Sequence, residues 1–130
     1  DPSCAGSVDP VRTCCPAKAN GSNHSAVVPA LNLFEPSHCG GDRETFETLL
    51  QCRNVHIERI QSPAGTRSEL FDQAQDEWVC LLQGQAQLAL GGETIELKAG
   101  EALFIPARTP HRVLSTSVQP TCIWLAVHIR

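Results

Sequence analysis

The sequence predicts an all-β fold, a small antiparallel β-barrel or sandwich running from about Asn54 to Arg130, and three observations predict it. From Asn54 onward, apolar and polar side chains alternate in short runs, the two-residue period of a strand with one buried face. Turn residues separate these runs at regular spacing. No run between them is long enough for the crossover helix that parallel strands require, so the strands pair antiparallel and closure removes exposed sheet edges.

Residues 1–30 are rich in Pro, Ser, Gly, Ala and Asn, and carry only Val8, Val11, Val27 and Val28 as sizeable apolar side chains. Such a segment buries too little to offset its ordering, and it reads as an irregular N-terminal arm or a leader. The chain contains no methionine, which predicts a processed or fused N-terminus. Residues 31–130 form the predicted domain. Within it, residues 42–52 predict one short amphipathic helix, with Asp42 as cap, Glu44 in the first turn, and Phe46, Leu49 and Leu50 three and four apart.

The strands then follow in order. Val55–Ile60 alternates and starts the barrel, and Arg67–Asp72, Glu77–Leu82, Gln85–Leu90, Glu93–Lys98, Ala102–Ile105, His111–Ser115 and Thr121–Ile129 are the further candidates. The clearest local signal is the pair of alternating runs around Gly91-Gly92, where two glycines supply the positive φ of a two-residue hairpin turn.

Composition narrows the function classes. A 130-residue chain of formal charge -4, with its basic residues scattered, lacks the positive face that a nucleic-acid partner requires. Its longest apolar stretches, such as Cys122–Val127, fall far below the roughly 20 residues of a membrane-spanning helix, so no membrane partner is expected. Seven cysteines include Cys80 and Cys122 in apolar strand-like runs, where cysteine serves as a small buried hydrophobe. Cys4, Cys14, Cys15 and Cys39 lack the paired spacing of a zinc site, and a reduced, cytoplasmic protein is the expectation. Nucleophile elbow, phosphate loop, dinucleotide fingerprint and HExxH helix are all missing, so no organic cofactor is implied.

Two motifs flank the hairpin. Gly100-Glu101-Ala102-Leu103-Phe104-Ile105-Pro106-Ala107-Arg108-Thr109-Pro110-His111 runs from a glycine turn through a strand and a proline-led turn to a histidine. Glu77-Trp78-Val79-Cys80-Leu81-Leu82-Gln83-Gly84 places a glutamate before a turn glycine. In these motifs the chain resembles the cupin superfamily, and Phe71-Asp72-Gln73 with the closing Trp124–His128 looks like its small single-domain bacterial members, which have no established activity. Arg108 stands where that pattern usually has glycine, and Ser115 where it often has asparagine. The histidine pair of the first motif is replaced by Leu70 and Asp72 or by Phe71 and Gln73, depending on spacing.

The resemblance implies a jelly-roll-like barrel with an interior pocket and, in metal-bearing members, one divalent Fe, Mn, Zn or Ni ion held by three histidines and a carboxylate. Here Glu77 and His111 map onto ligand positions, Asp72 does so at one spacing, and His128 joins them if the Trp124 phase of the last strand faces inward. His111 and His128 are also the candidates for acid–base catalysis, since imidazole titrates near neutrality. Glu77 and His111 have bland readings too, as a strand-end carboxylate paired with Arg67 or Arg112 and as a satisfied pocket histidine. His56 and Arg59 have opposite phase, so one of them faces in, and an inward Arg59 would mark an anionic substrate. Trp78, Cys80 and Leu82 share the face away from Glu77 and suit burial against a twofold copy, so a homodimer is expected. The function implied is a barrel with a small-molecule ligand, acting on a small organic acid or sugar derivative with a reduced metal set. The alternative is a metal-free barrel that binds or senses a small molecule without catalysis.

Overall fold

The computed structural model describes residues 12–13, 30–35 and 43–130. The arm predicted over residues 1–30 therefore lies outside the described residues, apart from Ala30 and the two-residue strand β1 (Arg12–Thr13). The elements that follow are β2 (Thr45–Cys52), β3 (Val55–Ser62), β4 (Asp76–Gln83), β5 (Gln85–Leu90), β6 (Glu93–Lys98), β7 (Ala102–Ile105), β8 (His111–Thr116) and β9 (Cys122–Ile129). One sheet has the order β1-β2-β3-β9-β4-β7 and the other β6-β5-β8, and all pairs are antiparallel except β1 with β2.

The predicted helix over 42–52 is corrected. Asp42 is outside the described residues, and Thr45–Cys52 is a strand pairing with β3 from Thr45↔Gln61 to Cys52↔Val55. A bulge between Thr48 and Leu50 explains the misleading spacing. One extra residue, Leu49, reverses the phase of the strand, so Phe46, Leu49 and Leu50 fall three and four apart without a helical turn. The candidate strand Arg67–Asp72 is an extended segment rather than a ladder, held to β8 by the Phe71↔His111 bridge and by Ser68. The predicted hairpin forms as expected, with φ of 55° at Gly91 and 89° at Gly92 joining β5 to β6.

Alternation along β4 and β9 builds the core. Glu77, Val79 and Leu81 point inward, as do Cys122, Trp124, Ala126 and His128, and Leu81, Cys122 and Ala126 are fully buried. Ala86, Leu88 and Leu97 close the cluster from the smaller sheet, and Ile105 closes it from β7. The opposite face of the larger sheet carries exposed Phe104 and Trp78, directly paired across β7 and β4, with Val127 beyond them on β9. Cys80 and Cys122 are free thiols, whereas Cys52 is disulfide-bonded, so the cysteines are not uniformly reduced.

Candidate functional site

At one end of the barrel the two sheets bring ionisable side chains together. Glu77 on β4 pairs in register with His128 on β9, which is flanked by His56 on β3. Glu58, two residues along β3 from His56, points to the same interior. His111 enters from the opposite sheet at the start of β8. Glu77, His111 and His128 are all buried, at 6%, 8% and 4% exposure, and they sit on the wall of a cavity of ≈ 80 Å³. Phe46, Ile60, Phe71, Val79, Val113 and Trp124 supply most of its apolar lining.

The Glu77 carboxylate lies between two imidazoles, with Oε2 3.4 Å from His111 Nε2 and Oε1 3.7 Å from His128 Nε2. His111 Nδ1–H donates to the Thr109 carbonyl at 2.9 Å, which orients the ring and leaves Nε2 facing Glu77. His128 Nε2–H donates to Glu58 Oε1 at 2.9 Å, and the Gln75 amide N–H reaches its Nδ1 at 3.3 Å. Burial disfavours charge on His111, but the Glu77 carboxylate, the Thr109 carbonyl and the field of Glu77 and Asp72 outweigh it, so its pKa is raised. The pKa of His128 is raised chiefly by its bond to Glu58, against the opposing effect of burial.

A second polar pole lies on the same cavity. Trp124 Nε1–H donates to Ser62 Oγ at 3.0 Å, and the Ser62 hydroxyl donates to Glu44 Oε2 at 2.9 Å. Burial pushes the Glu44 carboxyl up, and the Ser62 bond only partly offsets this.

Of the residues singled out by sequence, Glu77, His111 and His128 come together, and β9 turns its Trp124 phase inward. Asp72 does not join them: it is exposed, it is not part of the cavity lining, and it lies 3.7 Å from Arg108. The two spacings left open for the missing histidine pair are thereby resolved, since Phe71 and Gln73 line the cavity and Leu70 is exposed. His56 faces inward and bonds to Thr48 Oγ1 at 2.9 Å. Arg59 faces outward, buried against the Glu47 carboxylate and the carbonyls of Asn32, Leu33 and Glu35. The expected pairing of Glu77 with Arg67 or Arg112 gives way to the two histidines.

Sequence reading missed Glu58 and Glu44 as cavity residues and named Gln73 only as one of two alternatives. Val55–Ile60 reads as an alternating strand whose inward phase is either that of His56 or that of Arg59; in the structure His56 and Glu58 face the interior and Val55 and Ile57 take the other side. The in-phase trio His56, Glu58 and Ile60 was the available signal, and it breaks the polar-out rule.

The donor set falls short of the three histidines and one carboxylate of the metal-bearing family members. Phe71 offers no ligand atom, Gln73 offers only an amide, and His128 Nε2 already serves Glu58. Among the described residues no group of three or more His, Cys, Asp or Glu side chains is arranged to hold an ion. No helix among them is long and apolar enough to cross a membrane.

Residues 59–128 match the family model described as Cupin domain. A crystal structure from Ralstonia eutropha JMP134, of a protein provisionally called a mannose-6-phosphate isomerase, is 34% identical with a TM-score of 0.72, covering 78% of this chain and 98% of that one. The polyketide cyclase RemF of Streptomyces resistomycificus shares the fold at 22% identity and a TM-score of 0.60, covering 67% of this chain and 65% of its own. An uncharacterised protein of Streptomyces coelicolor is 27% identical over 82 residues, 63% of this chain and 77% of that protein.

Proposed function

The chain belongs to the cupin family, and from that membership we propose a metal-independent site that binds a small organic acid or sugar derivative in the barrel cavity and moves a proton on it. The observation that carries this reading is the Glu77 carboxylate set between the buried imidazoles of His111 and His128 on the cavity wall. His111, its Nδ1 proton committed to Thr109, exchanges a proton at Nε2, and Glu77 stabilises the imidazolium that results. The chemistry this suits is proton abstraction beside a carbonyl and its return, an isomerisation or epimerisation. The provisional isomerase name of the Ralstonia protein supports the same reaction class.

A divalent Fe, Mn, Zn or Ni centre is the competing reading, and it would need Glu77, His111 and His128 to give up their present partners for one ion. Non-catalytic binding is the other, and it predicts stabilisation by a ligand without exchange. The test is solvent-deuterium incorporation followed by proton NMR, using chelator-treated protein with mannose, glyceraldehyde and pyruvate as probes. We expect loss of the signal next to a carbonyl in at least one probe, reduced about 100-fold or more in His111→Gln and in Glu77→Gln. Exchange that requires added metal, no exchange in any probe, or exchange indifferent to both variants would overturn the proposal.

A further inference from the structure

We infer that the part of the ligand inside the cavity is uncharged and rich in hydroxyl groups, and that Gln73 and Glu44 read those hydroxyls. This rests on the preceding section in taking the cavity as the ligand site, and of the two ligand classes named there it selects the sugar derivative over the organic acid. The argument is an inventory of donors and acceptors. Glu44, Glu58 and Glu77 present carboxylates to the cavity. Gln73 Oε1 is buried without a hydrogen-bond partner, and Gln73 lines the same space. A buried acceptor left unpaired is costly, so a molecule that donates to it is favoured at that position.

Four nearby protein donors are meanwhile already used. His111 Nδ1–H serves Thr109, His128 Nε2–H serves Glu58, Trp124 Nε1–H serves Ser62, and the Ser62 hydroxyl serves Glu44. Lys and Arg are absent from the cavity lining among the described residues. The one arginine that could have entered from β3, Arg59, is turned to the outside and held by Glu47. Arg43 and Arg67 line a neighbouring groove, outside the cavity, together with Glu44 and Glu69. A phosphate or carboxylate brought inside would thus face three carboxylates and no Lys or Arg, the two imidazoles being already held by Glu77 and Glu58, whereas hydroxyls meet acceptors at both poles.

Gln73 occupies the inward place that the family motif gives to a ligand histidine, and there it presents an unpaired amide oxygen. Glu44 adds a carboxylate acceptor at the far pole, fixed in position by the Trp124–Ser62 chain.

The test uses the full chain and small probes that fit inside: erythritol and glyceraldehyde as neutral hydroxyl compounds, glycerate and glycerol 3-phosphate as anionic counterparts. Binding is read by titration calorimetry and by thermal shift. The neutral probes should bind at least about 10-fold more tightly than the anions. Gln73→Leu, which removes the unpaired amide while keeping its volume, should weaken neutral binding about 10-fold without lowering the melting temperature of the free protein. Glu44→Gln should weaken it as well, giving a second variant that keeps the Ser62 bond. Anions binding as tightly as the neutral probes, or neutral binding unchanged in both variants, would overturn the inference while leaving the cavity as the site. Binding that also survives His111→Gln, or no binding by any probe, would overturn the site reading itself.

Discussion

At the scale of single residues, Arg108 shows how a departure from the family pattern becomes a physical cost. Its φ is 61°, in the left-handed region that a side chain disfavours, and its backbone N–H donates to the Gln73 carbonyl at 2.7 Å, so the turn holds it there. Arg108→Gly should stabilise the protein by about 0.5–1 kcal/mol in urea unfolding, because relief of the φ penalty outweighs the exposed Asp72 pair that is lost. A loss of stability would contradict this account. The two site histidines give a pH prediction. Both have pKa values raised above the ordinary 6.5, so their contribution to stability is fully present below about pH 6.5 and is lost as pH rises through the folded-state values. Unfolding midpoints should therefore fall between pH 6 and 9, and His128→Gln together with His111→Gln should flatten that fall. Glu77 and His111 were readable from motif spacing alone. Glu58 was not, because alternation along β3 gives two phases, one with His56 and Glu58 and one with Arg59, and only pairing with β9 shows that the first faces inward.

At the scale of elements, alternation served well wherever a strand is regular and has one buried face. Strands β4 to β9 lie close to where their sequence patterns put them, and the Gly91-Gly92 turn follows from backbone conformation. β2 was misread because a single inserted residue, Leu49, mimics helical spacing, and only pairing with β3 reveals the bulge. The tightest junction is Gly84 between β4 and β5. Its φ is +93°, and a Cβ there would stand 2.7 Å from Cys122 Sγ and 3.1 Å from Cys122 Cα. Gly84→Ala should cost about 2–3 kcal/mol, combining overpacking against a fully buried residue with an unfavourable φ. A cost below about 0.5 kcal/mol in chemical denaturation would mean that β5 shifts freely at this junction.

At the scale of the whole molecule, two sheets bring together side chains distant in sequence, and this is where sequence reading reaches its limit. Glu58, Glu77, His111 and His128 span most of the barrel, and only the β3-β9-β4 order places the first, second and fourth on one wall, with the third opposite. The same assembly leaves Phe71 and Gln73 in the cavity and Asp72 outside it, a choice that motif spacing had left open. Together these placements bring Glu58, Glu77, His111 and His128 to one cavity, and the proposed reading is that this site works without a metal ion. Elemental analysis of the purified full chain, with and without prior exposure to Fe, Mn, Zn and Ni salts, tests that claim most directly. The account predicts less than about 0.1 metal ion per chain, unchanged in Glu77→Ala and His111→Ala, because the donor set lacks the ligands such an ion requires. About one ion per chain, lost in both variants, would contradict it.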